Sequence, residues 1–123
     1  MKTRKYGWQD KTASYRAWRY QWNIGAVHDV DQVEWRNGKP VAVLELTSND
    51  TVNSHVKHAI AHRLWTQFSG RSLRKVAKGL GVPFFIVLLT PDLQEFAVCK
   101  LDNPDAEWLD FSKEEYRLWL SSL

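Results

Sequence analysis

Between residues 10 and 22 the aromatics Tyr15, Trp18 and Trp22 recur at intervals of three and four, with Arg16, Arg19 and Tyr20 off that face. This spacing predicts an amphipathic helix with its aromatic side in the core. The pattern then switches period. Residues 27–35 and 40–46 read as strands joined by Arg36-Asn37-Gly38-Lys39, and Asn-Gly between two such runs is a strong hairpin signal. After a polar loop over 47–51, Val52, Val56, Ala59, Ile60, Leu64 and Phe68 return to helical spacing and predict the longest helix, 52–68. A shorter helix over 72–80 buries Leu73, Val76, Ala77 and Leu80 and stops at Gly79 and Gly81.

The uninterrupted apolar run Phe84–Leu89 predicts a strand covered on both faces, and residues 95–101 predict another beyond a Thr90-Pro91-Asp92 turn. Ser112-Lys113-Glu114-Glu115 has the form of a capping box and opens a last helix through Leu120. The order helix, strand, hairpin partner, helix or helix pair, strand, strand, helix predicts an α/β fold with a mixed sheet and a central hairpin flanked by helices.

Composition adds limits. A chain of 123 residues, 44% hydrophobic, supports one packed core, so residues 1–123 are read as a single domain. The lone cysteine, Cys99, excludes an intrachain disulfide and reads as a small buried strand residue. The opening MKTRKYGWQD lacks the apolar stretch of a secretory signal, and no apolar run reaches membrane-spanning length, so the expected location is cytoplasmic, with no membrane contact.

Charge is polarised along the chain. The net charge is +3, with cations gathered at Lys2, Arg4, Lys5, Lys11, Arg16 and Arg19 and again at Arg71, Arg74, Lys75 and Lys78, whereas residues 92–115 are mostly acidic. Such basic clusters are candidates for phosphate contact with a nucleic acid, as well as ordinary solvated faces. His55, His58 and His62 form a stripe on the long predicted helix, which would suit either contact beside a nucleic-acid cleft or a polar face next to the core. No cysteine or acid on that helix completes a zinc set.

Three carboxylates stand in the hairpin strands: Asp29 and Asp31 on the first and Glu45 on the second. Asp29 and Asp31 share a face by alternation, and Glu45 shares one with Val43 and Thr47. A strict two-residue Asn37-Gly38 loop would pair Asp31 with Leu44 and put Glu45 on the other side of the sheet. A three-residue loop, or a bulge in either strand, would bring the carboxylates onto one face. So gathered, they would repel one another unless a cation or a shared proton intervened, and hard oxygen donors of this kind suit Mg²⁺ or Mn²⁺. Decoration of a solvent-facing strand is the plainer reading.

An aspartate opening a strand, a short Asn-Gly hairpin and a second apolar strand, Val41-Ala42-Val43-Leu44, ending on Glu45 resemble the core motif of the PD-(D/E)XK nuclease superfamily, which includes restriction endonucleases and Holliday-junction resolvases. The resemblance implies an αβββαβ restriction endonuclease-like core, with Asp31 and Glu45 as the motif carboxylates; beside them Asp29 is expected as a third metal ligand or as a group supporting the ligands. It also implies Mg²⁺- or Mn²⁺-dependent hydrolysis of DNA phosphodiester bonds. A domain of this size has no evident second module for target selection, so action as a homodimer or within a larger complex is expected. Thr47 occupies the place of the motif lysine and Val30 that of the proline before the aspartate, and no glutamate stands in the first predicted helix. In some members the lysine comes from the next helix, which here implies Lys57. The alternative is a catalytically inactive nuclease-fold module that binds nucleic acid or a protein.

Overall fold

The computed structural model describes residues 13–21 and 30–123. Within them the chain forms α1 (Ala13–Tyr20), β1 (Gln32–Arg36), β2 (Lys39–Ser48), α2 (Ser54–Thr66), α3 (Phe68–Leu80), β3 (Phe84–Leu89), β4 (Glu95–Lys100), β5 (Trp108–Ser112) and α4 (Lys113–Ser121). This is a single-domain α/β fold with a mixed sheet in the order β1-β2-β3-β4-β5. β2 and β3 run parallel, joined across one face by α2 and α3, and the other neighbours are antiparallel.

Alternation divides the core into two layers. Val43, Ile86, Leu88, Ala97 and Cys99 face one way and pack under Ile60, Ala61 and Leu64 of α2 and Leu73 and Ala77 of α3. Ala42, Leu44, Phe85, Val87, Phe96 and Val98 face the other way, under Tyr116, Trp119 and Leu120 of α4. β3 lies between both layers, so its apolar run has no polar face, as its sequence predicts. Among the described residues the hairpin therefore lies at one edge of the sheet and not at its centre, and β3 takes the central place.

Local signals explain the boundaries. Asn53 caps α2 by accepting from the Val56 N–H at 2.9 Å, which starts the helix two residues later than periodicity implies. One extended residue, Gln67, ends α2 and begins α3. The second helix thus opens at Phe68 and not at 72, and the two helices form a tight corner. Gly81 at φ 73° closes α3 with a left-handed cap, while Gly79 is inside the helix and does not stop it. The Ser112–Glu115 capping box is present in full at the start of α4.

Two further departures matter. β2 continues through Thr47 and Ser48, expected to be loop, because both pair with β3. β5 has no counterpart in the sequence reading: its five residues pair with β4 at the sheet edge, and their apolar and polar positions do not alternate cleanly. On α1, the Tyr15 and Trp18 rings lie tilted against each other, 5.9 Å apart, yet are 58% and 52% exposed, so the aromatic side expected in the core is largely open. Cys99 is fully buried, and desolvation, with Asp102 nearby, pushes its thiol up to about 11. No helix among the described residues is long and apolar enough to cross a membrane.

Candidate functional site

The hairpin turn is the two-residue form. Asn37 and Gly38 both have positive φ, 52° and 76°, as a type I′ turn requires, and Arg36 pairs with Lys39 and Trp35 with Pro40. That parity alone would separate the carboxylates. The register then shifts between Glu34 and Trp35: Glu34 pairs with Ala42, Val33 with Val43 and Gln32 with Leu44, leaving Val41 as the extra residue of a bulge. Pro40, which has no N–H to give a ladder, stands beside it, before β2 begins to pair with β3 at Val43. Carried one residue further, the shifted register sets Asp31 opposite Glu45.

Side-chain chemistry agrees with that placement. Asp31 Oδ2 accepts from the Leu46 N–H at 2.9 Å, supplying an acceptor where β1 has ended. Glu45 is hydrogen-bonded to Asp31 and half-buried beside Ile86 of β3. Desolvation, that hydrogen bond and the charge of Asp31 push the Glu45 carboxyl up from 4.5 to about 7, partly opposed by Arg63 on α2. The shift favours the protonated form of Glu45, which eases the repulsion between such close neighbours.

Thr47 follows on the same face, half-buried and paired with Leu88. Lys57 is elsewhere. The sheet register forms a row Thr47, Leu88, Ala97, Asp110, and Lys57 makes an ion pair with Asp110 at its far end. Three strand spacings, about 14 Å, separate that end from Thr47. The structure therefore brings Asp31 and Glu45 together and does not bring Lys57 to them. The cation acting on Glu45 is Arg63, which the sequence reading did not single out. Its signal was its place between buried Ile60 and Leu64, where a long side chain is directed along the border of the packed face.

Asp29 lies outside the described residues, as do Trp8, Trp22 and the side chain of Tyr20. Among the described residues no group of three or more His, Cys, Asp or Glu side chains is arranged to hold a metal ion. The two carboxylates present do fit a divalent cation chemically, because they are paired hard oxygen donors whose mutual repulsion a cation would relieve.

The basic and histidine candidates lie on the helices. Arg16 and Arg19 are on α1. His55, His58 and His62 are exposed on α2, with the last two rings stacked at 6.3 Å. Arg71, Lys75 and Lys78 are exposed on α3. Arg74 is not a solvated cation like these: its guanidinium lies 3.9 Å over the Trp65 ring and donates to the Trp65 carbonyl at 2.8 Å. Comparison with family models, curated proteins and solved structures returned no match.

Proposed function

We propose that this chain is a Mg²⁺- or Mn²⁺-dependent endonuclease-like protein that hydrolyses DNA phosphodiester bonds, built on the restriction endonuclease-like core its hairpin motif resembles. The observation that carries the reading is the bulge at Val41, which turns Glu45 onto the face of Asp31 despite a two-residue turn. A bulge that re-aims a side chain costs ladder pairing and is common beside active sites. Asp31 and Glu45 would hold the ion, with Asp29 as a further donor. When bound, such an ion supplies a more acidic water and neutralises charge on the phosphate.

The chain's own groups support the same chemistry. Asp31 is held by the Leu46 N–H, so its second oxygen is oriented by the backbone. Glu45, pushed up to about 7, can give up or take a proton near neutral pH. Thr47 offers a hydroxyl on the same face, and Arg63 offers positive charge where the motif lysine is missing. Exposed Arg71, Lys75 and Lys78 belong to the same helical layer and would contact the DNA backbone.

The second reading, a nuclease-fold module that binds DNA or a protein without cleaving, draws on the pairing of Lys57 with Asp110. That engagement leaves Thr47 without the nearby ammonium expected from α2.

Cleavage of linear, branched and single-stranded DNA with Mg²⁺ or Mn²⁺ decides between them. Asp31→Asn and Glu45→Gln keep size and hydrogen bonding but remove the charge that a divalent ion needs. Each is expected to bring cleavage to background while leaving folding intact and DNA binding in EDTA equal or tighter. A wild type that binds one of these DNAs and cuts none with either metal would establish the module.

A further inference from the structure

A recessed cleft of about 450 Å³ opens where the C-terminal end of α3 meets the start of β3 and the end of β4. Its walls include Trp65, Arg74, Lys78, Phe84, Lys100 and Asp102, so three cations face one acid. Arg74 is the best-fixed of them, stacked on Trp65 and bonded to its carbonyl. Its Nε is nonetheless buried with no hydrogen-bond partner, which is uncommon for a guanidinium nitrogen removed from water. Burial and the charge of Arg71 both disfavour the Arg74 cation. An anion in the cleft would relieve that repulsion.

We propose that this cleft binds an organic phosphate, with the phosphoryl group among Arg74, Lys78 and Lys100 and the apolar part against the wall that includes Phe84. Arginine and lysine together give planar and point-charge recognition of phosphate oxygens. The volume exceeds that of a bare phosphate and lies within the range of small-molecule sites, which combine apolar walls with a few polar groups. A nucleoside 5′-monophosphate, free or at the end of a strand, has this chemistry. The cleft does not include Asp31 or Glu45, and the proposal does not rest on the nuclease reading.

The test is calorimetric titration of the full chain in EDTA at low salt, with adenosine 5′-monophosphate, adenosine and inorganic phosphate as probes. Saturable binding of the monophosphate is expected, with adenosine at least 10-fold weaker and inorganic phosphate weaker than the monophosphate. Lys78→Ala/Lys100→Ala, at two exposed positions, should weaken the monophosphate at least 10-fold, and Lys113→Ala on α4 should leave it unchanged. A short single-stranded oligonucleotide that binds tighter with a 5′-phosphate than with a 5′-hydroxyl would place the ligand at a strand end. Equal binding of the two, with the monophosphate bound, would place it among free nucleotides. Absent saturation, adenosine binding as well as its monophosphate, or unchanged binding by the double lysine variant would overturn the proposal.

Discussion

At the residue scale the carboxylate pair carries the chemistry, and its proton sets a pH dependence. Glu45 has a folded pKa of about 7 against an ordinary 4.5, so between these values the native state holds more protons than the unfolded chain. The contribution of Glu45 to stability therefore falls as pH rises from about 4.5 to about 7 and levels off above it. Glu45→Gln should remove this component, so the difference between wild-type and variant urea midpoints across the window isolates it from the histidines. A constant difference from pH 4 to 8 would show that folding does not push the Glu45 carboxyl up. Both partners were legible in the sequence, since an acid at each end of an Asn-Gly hairpin is conspicuous. Their parity was not. It depends on one extra residue, Val41, and Pro40 beside it was the only hint that the ladder is interrupted there. Arg63 escaped for a related reason: which of the two cations on α2 faces Glu45 depends on how the helix lies over the sheet, and periodicity does not determine that.

At the element scale, strong periodicity and side-chain caps determined what could be read. β3 and the α4 capping box follow directly from the sequence, and the helices flanking the Gln67 corner were found with shifted ends. β5 was missed because only Trp108 and Phe111 of this edge strand pack against the core, one on each layer, which leaves no clean alternation, and the aromatic side of α1 was assigned to a core that does not cover it. The α2–α3 corner explains why its position cannot shift freely. A Cβ on Gly70 would overlap the Leu64 carbonyl oxygen and lie 2.5 Å from its carbon, both backbone atoms with no rotamer to change. Gly70→Ala should therefore force the helices apart and cost at least the roughly 1–3 kcal/mol typical of overpacking. Gly79→Ala meets nothing within 4 Å and should stabilise α3 by up to about 1 kcal/mol. Equal urea midpoints for the two variants would contradict this close approach.

At the scale of the whole molecule, the sheet separates charges that the sequence places in blocks. The acidic block supplies Glu95, Asp110 and Glu115 to a cleft of about 660 Å³ near the ends of β4 and β5, while α3 presents Arg71, Lys75 and Lys78 from the layer that also covers Val43 and the face of Glu45. A duplex approaching the carboxylate pair from that layer would meet the α3 cations, whereas α4 lies across the sheet. Binding through phosphates releases counterions, so the logarithm of affinity should fall linearly with the logarithm of salt. Arg71→Ala and Lys75→Ala should each flatten that slope by roughly 0.9 for duplex DNA. Lys113→Ala removes the same charge from the α4 side and should leave the slope unchanged. The measurement is fluorescence anisotropy of a labelled duplex in EDTA from low to moderate salt, where cleavage does not interfere. The same slope for all three variants, or no affinity at low salt, would show that α3 is a solvated face and that DNA, if bound, is held elsewhere.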